Sequence, residues 1–320
     1  MARLRRLRIH VELFIQGDEA VVDYSGSAPQ CRGPINTPLS IPQAASYNAF
    51  LQLADLSIPK NSGCFRAIRV VAPPGLVVNV DYPGPEVAGN TETHPRLVGI
   101  VMGAMAQCVP DRVMAAESAT GGNFVFGGYH PDYEEYYACY DLMSGGWGGR
   151  AQADGNDAVI CINGNCRFNP TEVFEARFPL MVENCELIPD SGGAGKWRGG
   201  LGYRRTLKVT KVPITGSQCS DRHEVKPWAL FGGLPGGNGG TLIQKAGSEG
   251  WTTVKELYGK VSTSKYANVR FDPGDRVLLV TPGGGGYGDP RDRDPARVEE
   301  DLREGYVTPE AAVRDYGHQG

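Results

Sequence analysis

The sequence has 320 residues, 41% hydrophobic and 21% charged, with a net charge of −4. This composition supports one large or two modest globular cores and excludes disorder, and the only basic run, Arg3 to Arg8, reads as a solvated N-terminus rather than a nucleic-acid surface. No apolar run is long enough to span a bilayer or to form a signal-peptide core, and the eight cysteines are scattered with no C-x-x-C, so a reducing, cytoplasmic setting without a zinc site is expected.

Ile9, Val11, Leu13 and Ile15 alternate with polar residues and predict a first strand. Gln16-Gly17-Asp18 turns it into a second strand, Ala20 to Asp23. A helix is expected around Pro42 to Ala54, with Tyr47, Phe50, Leu51 and Ala54 on one face. Ile68 to Ala72 and Leu76 to Val80 read as a hairpin around Pro73-Pro74-Gly75. The strongest helical stripe, Leu97, Val98, Ile100, Val101, Ala104, Met105 and Cys108, predicts a helix from about Glu92 to Cys108.

Beyond it strand character recurs at Tyr136 to Leu142, Ala158 to Ile162, Pro179 to Leu187, Tyr203 to Val209 and Arg276 to Val280. In the tail, Asp294 and Pro295 open a helix that Gly305 closes, and Thr308-Pro309-Glu310 opens another. The expected class is α+β: β-rich, with glycine-rich loops and short helices at both ends. Three portions are expected: an α/β portion over 1–116, a glycine-loop portion over 117–290 and a helical tail over 291–320.

The 44 glycines and 23 prolines demand many tight turns and long ordered loops. Gly283, Gly285 and Gly288 satisfy G-x-G-x-x-G, but Asp289-Pro290 follows where a dinucleotide site needs a helix N-terminus. Gly195-Lys196 is followed by Trp197, which cannot supply the hydroxyl that a P-loop offers to Mg²⁺. This chain is therefore expected to bind neither nucleotide nor metal itself.

The polar residues on the glycine loops are the better candidates. Gly145 to Asp157 carries Arg150, Asp154 and Asp157; Asn163 to Glu175 carries Asn165, Glu172 and Glu175; Asp190 to Arg205 carries Asp190, Arg198 and Arg204. Arginine holds carboxylate or amide oxygens bidentately, and paired carboxylates serve as general acids or bases. Asp154 and Glu172 are thus the catalytic candidates, and Arg150, Asn165, Asp190 and Arg198 the substrate-binding ones. His94, beside Glu92 and Arg96 after the loop Gly84 to Asn90, is a third catalytic candidate. Arg150, Asp154, Glu172 and Arg198 are expected to share one cleft, where Gly145, Gly146, Gly148 and Gly149 leave room for a ligand.

The motifs DYSGSAPQCRGPIN, IPKNSGCFRAIRVVAPPG, PEVAGNTETHPR, GAMAQCVPDRVMAA, GGWGGRAQADG, NPTEVFE and LIPDSGGAGKWRGGLG occur in this order along nearly the whole chain. Together they resemble the C-terminal half of the hydantoinase B / 5-oxoprolinase family, which includes hydantoinases, 5-oxoprolinases and acetone and acetophenone carboxylases. The resemblance implies a subunit of an ATP-dependent cyclic-amide hydrolase, active only in a complex. Its partners would be a hydantoinase A-type subunit that binds ATP with Mg²⁺ and a chain supplying the N-terminal hydantoinase B half, where the family carries a divalent metal. Hydantoin, 5-oxoproline or another lactam is the expected substrate. A ketone carboxylase subunit and a non-catalytic scaffold are the alternatives.

Overall fold

A computed structural model describes residues 6–55 and 57–318. Arg3, Leu4 and Arg5 of the basic run, and the last two residues of the tail, lie outside these. The described residues divide into two units: a smaller one of 6–114 with Arg150–Gln152, and a larger one of Ala115–Gly149 and 153–318, which includes the helical tail.

In the smaller unit, β1 (Glu12–Gln16) and β2 (Glu19–Asp23) form an antiparallel hairpin. Its two-residue turn places Gly17 at φ 62°, where a side chain would be strained. β3 (Ile68–Val71) joins β2 in parallel, so Ile68 to Val80 is not the hairpin that its prolines suggested. Leu76 and Asn79 instead close a tight bridge, and the Thr37 N–H donates to the Val77 carbonyl while the Thr37 carbonyl accepts from the Val80 N–H.

Helix α1 (Ser40–Leu53) buries Pro42, Ala45, Ser46, Ala49 and Leu53. The expected face, Tyr47, Phe50 and Leu51 with Ala54 just past the helix, is therefore not the packed one: these residues stay half-buried, because small residues let the helix approach its neighbours closely. Phe50, Leu51 and Ala54 wall an apolar hollow of about 280 Å³ with Ile15, Ile58 and Ile68. Helix α2 (His94–Met105) buries Leu97, Val98 and Val101, following a π turn at Gly89–Thr93.

The larger unit is built on two antiparallel four-stranded sheets. One has the order β10 (Lys265–Phe271), β8 (Ile214–Cys219), β4 (Asn123–His130), β5 (Glu135–Asp141). The other has the order β6 (Leu180–Leu187), β7 (Tyr203–Val209), β11 (Arg276–Val280), β9 (Gly240–Gln244). Their inward residues share one apolar cluster that includes Phe124, Phe126, Phe271, Leu207, Ile243 and Leu279. Alternation buries every second residue, as in Ile214-Gly216-Gln218 of β8. α3 (Thr171–Arg177) adds Phe174, whose ring lies 5.8 Å from Phe126. α4 (Val254–Tyr258) starts on a capping box between Thr253 and Glu256.

Ala158 to Ile162 is not a strand; Val159 only bridges Gly145. It belongs to a stack of extended glycine-rich segments. Gly146 donates to Pro282, Gly284 to Gly200, Gly200 to Trp147, Gly149 to Gly285 and Gly193 to Gly284, all through backbone atoms. The chain ends on α5 (Pro295–Arg303), capped by Asp294, and α6 (Pro309–Ala311), capped by Thr308 and continued by a π turn at Ala312–Tyr316. Helices and sheets segregated along the chain make this an α+β fold.

Candidate functional site

The glycines that were expected to leave room for a ligand leave room for backbone. A Cβ on Gly148 would sit 1.9 Å from the Ala115 carbonyl oxygen, and one on Gly146 1.9 Å from that of Gly200. Gly284 and Gly155 are hemmed in the same way by the Trp147 carbonyl. The stack is close-packed main chain, the reason collagen also keeps glycine at its axis.

Where the glycine segments meet the tail, a charged cluster forms. Asp154 accepts from the Arg198 backbone N–H at 2.7 Å. Arg293 holds its carboxylate bidentately at 2.7 and 3.0 Å, and Arg297 lies 3.4 Å away. Arg293 also reaches Asp301 at 2.7 Å, and Arg198 bridges Asp157 at 3.2 Å and Asp301 at 3.4 Å. Arg198 and Arg293 are almost fully buried. Burial pushes the Asp154 carboxyl up, but the Arg293 hydrogen bond and the charges of Arg293 and Arg198 outweigh it and hold it below the usual carboxylate range. A general base needs free lone pairs and a pKa nearer neutrality, so this geometry makes Asp154 a clamp.

The structure thus brings Asp154 and Arg198 together. Glu172 is exposed on the first turn of α3, and its neighbour Glu175 accepts from the Val182 N–H at 2.7 Å. Asn165 is exposed in the loop before α3. Asp190, at φ 61°, accepts from the Thr308 N–H and hydroxyl at 2.9 and 2.7 Å, which anchors the tail. Arg150 is exposed and belongs to the smaller unit, bridged to Met114.

His94 lies in the smaller unit at the start of α2. Its Nδ1 is 3.2 Å from the Asn90 Oδ1, its Nε2 is buried with no hydrogen-bond partner among the described residues, and burial holds its pKa down. It is therefore a neutral imidazole beside the wholly buried Glu92 and the buried Thr93, whose hydroxyl donates to the Ile35 carbonyl.

Arg293, Arg297 and Asp301 complete the cluster and were not singled out by the sequence. Arg293 stands in the dense charge alternation of Asp289 to Asp294, whereas Arg297 and Asp301 lie beyond it on the following helix. Among the described residues no three His, Cys, Asp or Glu side chains gather to hold a metal. The glycine run 283–288 leads into a three-residue 3₁₀ turn, Pro290–Asp292, which offers no helix N-terminus to a phosphate. No helix among the described residues is long and apolar enough to cross a membrane.

An uncharacterized protein of Methanocaldococcus jannaschii is 34% identical over 310 residues, covering 97% of this chain and 52% of that protein. The caprolactamase subunit beta of Pseudomonas jessenii is 30% identical over 324 residues, covering 98% of this chain and 54% of that subunit. The crystal structure of the ATP-dependent caprolactamase from Pseudomonas jessenii superposes with a TM-score of 0.84 at 28% identity, covering 97% of this chain and 53% of that one. Acetone carboxylase in its nucleotide-free form shares the fold, with a TM-score of 0.78 at 22% identity over 97% of this chain and 45% of that one. The chain spans about half the length of these relatives. The family model for hydantoinase B/oxoprolinase matches residues 1–290, and the chain belongs to that family.

Proposed function

We propose that this chain works as part of an ATP-dependent hydrolase of cyclic amides, beside a hydantoinase A-type subunit that binds ATP with Mg²⁺. The observation that carries the reading is the likeness, over nearly the whole chain, to the ATP-dependent caprolactamase. The chemistry supports ATP use. An unstrained amide resists attack because resonance stabilises its C–N bond, and phosphorylating the amide oxygen removes that resonance. In this reading any divalent metal belongs to the N-terminal hydantoinase B half, as the family resemblance implies. The free edge strand β1, with Phe14 and Ile15 exposed, is the proposed docking edge for that half.

Within this reading Arg150, Glu172 and Asn165 are the polar groups exposed enough to meet substrate or a partner, with Arg150 as an anion anchor and Glu172 as acid or base. His94 serves as a neutral hydrogen-bonding group rather than a charged one. A ketone carboxylase is the weaker reading, since acetone carboxylase shares the fold at lower identity than caprolactamase does.

The test is reconstitution with both proposed partners and measurement of ATP hydrolysis. Caprolactam, hydantoin or 5-oxoproline should stimulate it, while acetone with bicarbonate should not. Stimulation by acetone and bicarbonate alone would move the chain to the carboxylases.

A further inference from the structure

Two of the three glycine-rich segments carry anchors for the tail, and the third runs into it: from 145–157 comes Asp154, from 190–202 come Asp190 and Arg198, and the segment 283–289 continues directly to Arg293. The tail answers with Arg293, Arg297 and Asp301, with the Tyr306 carbonyl, which accepts from the Asp190 N–H at 3.0 Å, and with Thr308 on the Asp190 carboxylate. Aromatic contacts follow the charges: Arg297 lies over Trp197 at 4.9 Å and Arg198 over Tyr306 at 5.3 Å. Ala194, from the second segment, is buried against Val298, Val307, Ala311 and Tyr316 of the tail.

From this arrangement we infer that residues 291–318 form a strap that staples the three glycine segments into one layer. The physical reason lies in what glycine lacks. A glycine segment loses the most backbone entropy on ordering and has no side chain with which to hold its neighbours. Backbone hydrogen bonds set the spacing of the stack, Asp154 and Asp157 tie its first two segments at Arg198 and Leu201, and the strap supplies the remaining side-chain links. The buried charges are balanced only when both sides are present. With the strap docked, Asp154 has Arg293 and Arg297, and Arg198 has Asp157 and Asp301. The family model stops at residue 290, so every strap residue lies beyond it.

Hydrogen exchange on the full chain tests this with two variants. Arg293→Lys keeps the charge but loses the bidentate grip, and Arg297→Ala removes a half-exposed contact with little risk to folding. In Arg293→Lys, amides within 145–157, 190–202 and 283–289 should exchange about tenfold faster while those of β7 and β11 hold their rates. Arg297→Ala should give a smaller rise, about twofold, confined to the same segments, with a change in tryptophan fluorescence as Trp197 loses its cation. Unchanged exchange in the glycine segments of both variants overturns the strap. So does an equal rise in β7 and β11, which would make the tail ordinary core. Should Arg293→Lys fail to fold, Arg297→Ala decides the matter by the same two criteria.

Discussion

The larger unit packs itself in two opposite ways. In the sandwich, side chains do the work: Phe124, Phe126 and Phe271 interlock with Leu207 and Leu279, and the backbones keep the spacing of ordinary sheets. In the glycine stack the closest approaches are between main chains, and carbonyl oxygens of one segment lie where the next segment's Cβ would be. The first kind of packing tolerates a lost methylene at a graded cost. The second has no slack, because the obstacle is main chain fixed by its own hydrogen bonds.

The largest expected effect follows directly. Gly148→Ala places a methyl 1.9 Å from the Ala115 oxygen, with that residue's carbonyl carbon at 2.4 Å as well. Neither can move without breaking the link from the Ala115 N–H to the Gly149 carbonyl. A loss of about 4 kcal/mol or more, roughly a 10 °C fall in melting midpoint or outright insolubility, is expected in thermal denaturation. A fall of less than a degree or two would mean the stack yields easily, and the contrast with the sandwich would collapse.

Next comes a truncation in the sandwich itself. Phe126 is 1% exposed and its ring meets those of Phe124, Phe174 and Phe178 at 5.3 to 5.8 Å. Phe126→Ala should cost about 3–5 kcal/mol, and Phe126→Leu distinctly less, because the cavity left behind is smaller. Equal losses for the two variants would point to something other than cavity size.

The junction of the two regions supplies a pH dependence. His223 lies on the loop after β8, beside Gly239 of the strand-leading segment, and burial together with the Lys265 charge lowers its pKa to about 4 against the opposing pull of Asp221. A folded pKa below the unfolded value of about 6.5 means the unfolded state binds the proton first. The stabilising contribution is therefore complete above pH 6.5 and is lost as pH falls from 6.5 toward 4, by at most roughly 3 kcal/mol. Melting midpoints between pH 7.5 and 4.5 should fall more steeply for the native chain than for His223→Gln. Parallel curves would show that His223 titrates normally in the fold.

The same contrast explains what was legible in the sequence. β7 and β11 are found where the alternation of Tyr203–Val209 and Arg276–Val280 places them, and the caps at Asp294 and Thr308 are visible as local chemistry. β4 and β8 escape notice because Gly127, Gly128 and Gly216 interrupt their apolar runs; Gly127 is required where its Cβ would meet the Tyr137 oxygen at 2.7 Å. The glycine stack itself is conspicuous, but a glycine records only that something comes close. Ligand and neighbouring backbone leave the same mark. Asp154 shows the limit for the site: its residue type and loop suggested a base, and its partner Arg293 lies 139 residues further on, with no periodicity to link them.

The smallest expected effect asks whether glycine in this chain always means close approach. Gly99 lies inside α2, where an added Cβ would find nothing within 4 Å and no positive φ is involved. Here the residue only adds freedom to the unfolded chain and weakens the helix relative to alanine. Gly99→Ala should therefore raise stability by about 0.5–1 kcal/mol, the reverse of the loss at Gly148. The same substitution would then have opposite signs in one chain, decided by whether a carbonyl oxygen or empty space lies beyond the Cα. A clear loss of stability at Gly99 would show that this face of α2 is already held at contact distance, and the distinction between permissive and obligatory glycines would have to be redrawn.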